Sequence, residues 1–235
     1  MSGPMADGTR TLLVGDGPLA DGLHDGLVDR GHVVAQVVPA HAGARSDAGT
    51  GSGAGISAGI SAAVGLIGEV DLVVHVPQTP SSPTPLLDQS TEQWVEACEA
   101  PMAEAFAVAR TCRPHLADRA RLVWVVSTVA MGGAAGFAGS AAAYEGIRAL
   151  AKGAARQWGP DGLTTAVLAV APEVAFTPEA GAEVAATTTL ADPALGRPGD
   201  PYGDLAPLLD LLADPAARFV TGATLVADGG VWMSP

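Results

Sequence analysis

Basic residues are scarce in this chain. Twelve Lys and Arg stand against 25 Asp and Glu, a formal net charge of −13. Nucleic acid and anionic membrane both require clustered cations, so neither is expected as a partner. Cysteine is rarer still. Cys98 and Cys112 lie fourteen residues apart in one helical pattern, which suits free buried thiols better than a disulfide or a metal site. No metal ligand set is expected. Long apolar runs are missing as well: no stretch of about 18 uninterrupted apolar residues is available to span a bilayer. The opening string MSGPMADGTR holds no apolar run of the kind a signal peptide needs. The expected location is the cytoplasm.

What is present is apolar and regularly arranged. Hydrophobic residues make up 48% of 235, enough for one large domain with a substantial core. Apolar strand segments (TRTLLVG, HVVAQVV, DLVVHV, RLVWVVS, LTTAVLAVAP and FVTGATLVADGG) alternate with helical ones. The strands lack a polar face, which predicts a parallel sheet covered on both sides. The expected fold is therefore a single doubly wound, Rossmann-type α/β domain of about six or seven strands over residues 11–235. Residues 1–10 read as a disordered tail, 41–60 as a Gly/Ala/Ser-rich loop, and 173–202 as an irregular region. The long helical segment from Ser90 to Leu116 has Ser90 or Thr91 as its N-cap and should kink or restart at Pro101. In such a fold ligands sit outside the carboxyl ends of the strands.

Several strings resemble the classical short-chain dehydrogenase/reductase family over about Thr11 to Met233. FVTGATLVADGG is similar to its last strand and turn, ARQWGPDGLTTAVLAVAP to a helix leading into a strand, and Trp94 through Arg113-Pro114-His115-Leu116 to its spacing from tryptophan to the helix-ending proline. The resemblance implies a catalytic Asn, Ser, Tyr and Lys. Counted back from Trp158, the tyrosine position holds Ser140 and the lysine position Tyr144, and the asparagine position holds Pro101. Ser127 matches the serine, with Thr128 as the alternative register. The Tyr-x-x-x-Lys pair is thus absent, and a phenol without a neighbouring ammonium is a poor base near neutral pH. Tyr144 and Arg148 resemble the Tyr/Arg pair of the related halohydrin dehalogenases, shifted by one helical turn.

The cofactor positions implied by the resemblance are altered too. GDGPLA supplies Gly15, Gly17 and Ala20 after a strand and before a helix, but Asp16 puts a carboxylate where pyrophosphate would bind. Val38 and Pro39 replace the acidic residue expected on the ribose. His75 begins the string that replaces Asn-Asn-Ala-Gly, Glu173 replaces a glycine after Pro172, and Thr177 still matches a cofactor-side threonine. A degenerate family member with a vestigial cofactor site is expected, with no cofactor bound. One reading is a non-catalytic subunit of a homo-oligomer or a hetero-oligomer with an active family member. A second is a repurposed non-redox enzyme (elimination, isomerisation or cyclisation) taking a small-molecule ligand through Ser127, Ser140, Tyr144 or His75. A third is a residual reductase using NAD or NADP.

Overall fold

The computed structural model describes residues 8–39, 51–78, 82–187 and 192–233. Six strands form one parallel sheet in the order β2-β1-β3-β4-β5-β6, with β1 Arg10–Val14, β2 Val33–Val37, β3 Val70–His75, β4 Leu116–Ser127, β5 Thr164–Val170 and β6 Ala223–Ala227. The central strands are buried on both faces, which is why they read as unbroken apolar runs. Leu122, Trp124 and Val126 of β4 point into one cluster, roofed by α2 (Gly51–Ile67), α4 (Ala100–Cys112) and α6 (Ala138–Trp158). Val123 and Val125 point into the other, roofed by α1 (Gly17–Val28) and α9 (Ala206–Ala213). Order runs outward in both directions from β1 and β3, so the topological switch point lies above their carboxyl ends.

Short α3 (Thr91–Trp94) is capped by Ser90 through a reciprocal capping box with Gln93. A π-helical turn, Val95–Glu99, then joins it to α4. Pro101 has no N–H to give an α-helical carbonyl, and the wider turn absorbs that loss without ending the helix. Both cysteines are free and buried, and burial pushes the Cys112 thiol up to about 12. Among the described residues no helix is long and apolar enough to cross a membrane.

Three expected boundaries move. Residues 51–60 of the expected loop belong to α2, whose Ile56, Ile60 and Ala63 are buried at helical spacing, while residues 40–50 lie outside the described residues. A Cβ on Gly59 would stand 2.7 Å from Val37 Cγ1, so glycine here serves close packing of helix on strand rather than looseness. The expected irregular region holds two helices, α7 (Pro172–Ala175) and α8 (Pro178–Thr187), the latter burying Ala180 and Val184. Of the expected tail, residues 1–7 lie outside the described residues. Thr9 already accepts the Val33 N–H at 2.9 Å, and Arg10 opens β1 and pairs with Asp71. Short α5 (Val129–Gly132) lies between β4 and α6.

Candidate functional site

At the switch point the chain leaves β1 through Gly15 and Gly17, whose φ values of +150° and +78° demand glycine. A Cβ on Gly15 would lie 2.8 Å from Val76 Cβ and 3.0 Å from the Val76 carbonyl. Buried Val76 therefore seals the turn from the β3 side. Gln36 Nε2 donates to the Gly15 carbonyl at 3.1 Å and Gln78 Nε2 to the Asp16 carbonyl at 3.2 Å, so side-chain amides from two strand ends lie across the mouth of the turn. Asp16 occupies the N-cap position of α1, and Ala20 is fully buried beneath.

His75 is fully buried, with Nε2 2.8 Å from Glu104 Oε1 on α4. A carboxylate only accepts, so Nε2 donates to Glu104, leaving Nδ1 on the other side of the ring. That Nδ1 has no partner among the described residues. Neither has Nε1 of Trp124, whose Cα is the strand partner of His75. The histidine is held inside the sandwich.

The expected catalytic residues Ser127, Ser140 and Tyr144 are all buried. Ser127 is fully buried and its hydroxyl accepts the Val129 N–H at 3.3 Å, a turn-capping bond. Thr128, the alternative register, has a buried hydroxyl without a partner among the described residues. Tyr144, 2% exposed, sits in the core with its ring 6.3 Å from that of Phe176, which is in turn 5.4 Å from Phe137. Ser140, 3% exposed, turns instead toward a separate cavity. Arg148 donates to Thr224 Oγ1 on β6 at 3.1 Å and pairs with Glu145, so its charge is committed to the sheet edge. Thr177 immediately precedes α8, and its hydroxyl accepts the Ala180 N–H at 3.4 Å. Glu173 Oε2 is buried without a partner among the described residues, and the Glu173 backbone packs against Gly181 of α8. The whole chain has no asparagine and one lysine, Lys152, which is exposed on α6.

Sequence reasoning missed Glu104, Trp124 and the glutamines across the turn. Nothing in an amphipathic helix pattern marks Glu104 as the partner of a buried histidine. The cavity that Ser140 faces, of about 340 Å³, was also missed, although Gln93 in its lining belongs, with Ser90, to the S-x-x-Q signature of a capping box. Among the described residues no three His, Cys, Asp or Glu side chains gather as metal ligands.

Comparison with known proteins places this architecture. A family model described as enoyl-(acyl carrier protein) reductase matches residues 33–232. A 12α-hydroxysteroid dehydrogenase from a Clostridium species is 28% identical over 172 residues, 72% of this chain and 66% of the relative. The 3-oxoacyl-[acyl-carrier-protein] reductase FabG of Vibrio cholerae is 32% identical over 152 residues, 63% of this chain and 61% of that protein. The chain thus spans somewhat less than two thirds of the length of these curated relatives. Among solved structures, a dehydrogenase/reductase from Sinorhizobium meliloti superposes with a TM-score of 0.79 at 24% identity, covering 96% of both chains. A blue fluorescent protein from a metagenomic library, solved in complex with NADPH, superposes at 0.77 with 20% identity, covering 95% of this chain and 98% of that one. With a family model matched over most of its length, the chain belongs to the short-chain dehydrogenase/reductase family.

Proposed function

We propose that this chain is a supporting, non-catalytic subunit of an oligomeric short-chain dehydrogenase/reductase and does not itself carry out nicotinamide redox chemistry. The observation that carries the reading is the burial of Tyr144 against Phe176, four residues beyond a serine that stands at the family's tyrosine position. Proton transfer by a phenol near neutral pH needs a neighbouring cation to lower its pKa. The single lysine lies on the exposed face of α6, two turns beyond Tyr144. The residues at the switch point do not fit a dinucleotide either. Asp16 stands where pyrophosphate would bind, Gln36 and Gln78 bridge the turn, and Val38 and Pro39 offer no group to a ribose hydroxyl.

The outer faces of α4 and α6 support the assembly half of the reading. Phe106, 54% exposed, lines a groove of about 400 Å³ together with Ala109, Leu150, Ala154 and Trp158. An exposed apolar groove between two long helices is the kind of surface that pairs with another subunit and needs no active site. Light scattering on the purified chain, alone and co-expressed with a family member that keeps Tyr and Lys, tests the proposal. The expected result is an oligomer that Phe106→Glu dissociates, with redox activity only where the intact partner is present. A monomer that oxidises NADPH unaided contradicts it.

A further inference from the structure

The cavity beside Ser140 is a built site of its own. Its lining includes none of the switch-point residues Gly15 to Ala20, nor His75, Ser127 or Thr177. It opens where the first turn of α6 docks on the π-helical turn of Val95–Glu99, with Gly139 packed directly on Ala97. Two hydrogen bonds shape its walls. Thr84 N–H donates to the Gly136 carbonyl at 2.9 Å, pinning the preceding loop to the mouth of α6. Gln93 is held by the capping box: its amide oxygen accepts the Ser90 N–H at 2.8 Å, which leaves its two N–H donors to the cavity. Gln89 lies across the N-terminal turn of α6, its Nε2 3.1 Å from where a Cβ on Gly139 would stand. Ser140 is 97% buried as a residue, lines the cavity, and has a hydroxyl that no group among the described residues bonds. Facing the cavity, that hydroxyl can both donate to and accept from a ligand.

The lining also selects charge and size. It carries one carboxylate, Glu96 at the rim, and no Lys, Arg or His. With a chain charge of −13, this site repels phosphates and carboxylates. A volume of about 340 Å³ falls at the small end of ligand pockets, which run from about 300 to 1,000 Å³. Hydroxyl and amide groups on several sides of one small space match a molecule with hydroxyls on several sides. We infer that this cavity binds a monosaccharide-sized polyol bearing an ammonium group, with Glu96 receiving the charge and Ser140, Gln89 and Gln93 the hydroxyls. The inference is independent of whether the chain has lost redox chemistry.

The test is ligand-observed NMR titration of the full chain with three probes: D-glucosamine, D-glucose and D-gluconate. Glucosamine is expected to bind saturably, glucose about tenfold more weakly, and gluconate not at all, a charge-assisted hydrogen bond accounting for the tenfold step. Glu96→Gln, at an exposed position that leaves folding intact, should bring glucosamine down to the glucose level. Ser140→Ala should weaken both by about fivefold, and Lys152→Ala, outside the cavity, should change neither. Failure of all three probes to bind overturns the assignment. So does gluconate binding as well as glucosamine, or glucosamine binding untouched by Glu96→Gln and Ser140→Ala.

Discussion

One helix serves two regions of this molecule that differ in kind. Within the core α6 presents Tyr144, whose ring meets Phe176 in an apolar cluster that also holds Phe137. One turn earlier the same helix presents Ser140 to a cavity walled by polar side chains. The comparison teaches that one helix can bury one side chain in an apolar cluster and, a turn away, present another to a polar cavity. Aromatic packing surrounds the phenol in the first region, and polar side chains line the second. The sheet tolerates this because the strands and the helix-to-sheet contacts are satisfied beneath both regions.

If the closed region is true core, breaking it costs stability rather than activity. Tyr144→Ala should destabilise the fold by about 3–5 kcal/mol, as removal of a buried aromatic does, seen as a lowered midpoint in urea. A loss under about 1 kcal/mol would mean the phenol lines an open site, and the contrast between the two regions would fail. Gly15→Ala comes next, at about 2–4 kcal/mol, because the new methyl meets Val76 and the backbone is held at positive φ. Glu104→Leu should cost about 1–3 kcal/mol by leaving the His75 Nε2–H buried and unpaired. Far from either region, the Arg10–Asp71 pair sets the small end of the scale. Burial pushes the Asp71 carboxyl up, but the hydrogen bonds from Arg10 outweigh it and hold it below the usual carboxylate range. A depressed folded pKa stabilises above the unfolded value of about 3.9, and that stability is lost as pH falls through the folded value. Asp71→Asn should therefore cost at most about 1 kcal/mol at pH 7, this pair being partly exposed, with the gap closing below pH 4 in matched urea titrations.

Much of the frame was legible in the sequence. Non-alternating apolar strands separated by helical periods imply a covered parallel sheet, and Pro101 announces an irregularity in its helix. The π-helical turn itself was not legible, since proline fixes what the helix cannot do and not how it adjusts. The first half of α2, residues 51–60, was hidden by its glycines, which local propensity scores as loop, although Gly59 serves packing against Val37. The site was legible as substitutions but not as geometry. Ser140 and Tyr144 could be placed in register. That one faces a cavity and the other the core depends on Phe176, thirty-two residues further along the chain, and on the docking of α6 against Ala97. Arg148 shares a helical face with both on paper, yet its guanidinium is taken by Thr224 of the edge strand.

The central claim, that nicotinamide chemistry is gone from this chain, is tested most directly by thermal unfolding with and without millimolar NADH and NADPH. A ligand present at 100 times its dissociation constant stabilises a fold by about 2.7 kcal/mol, a shift of several degrees for a domain of this size. The account predicts no shift with either cofactor. A rise of several degrees with NADH or NADPH would contradict it and return Tyr144 to consideration as a proton donor.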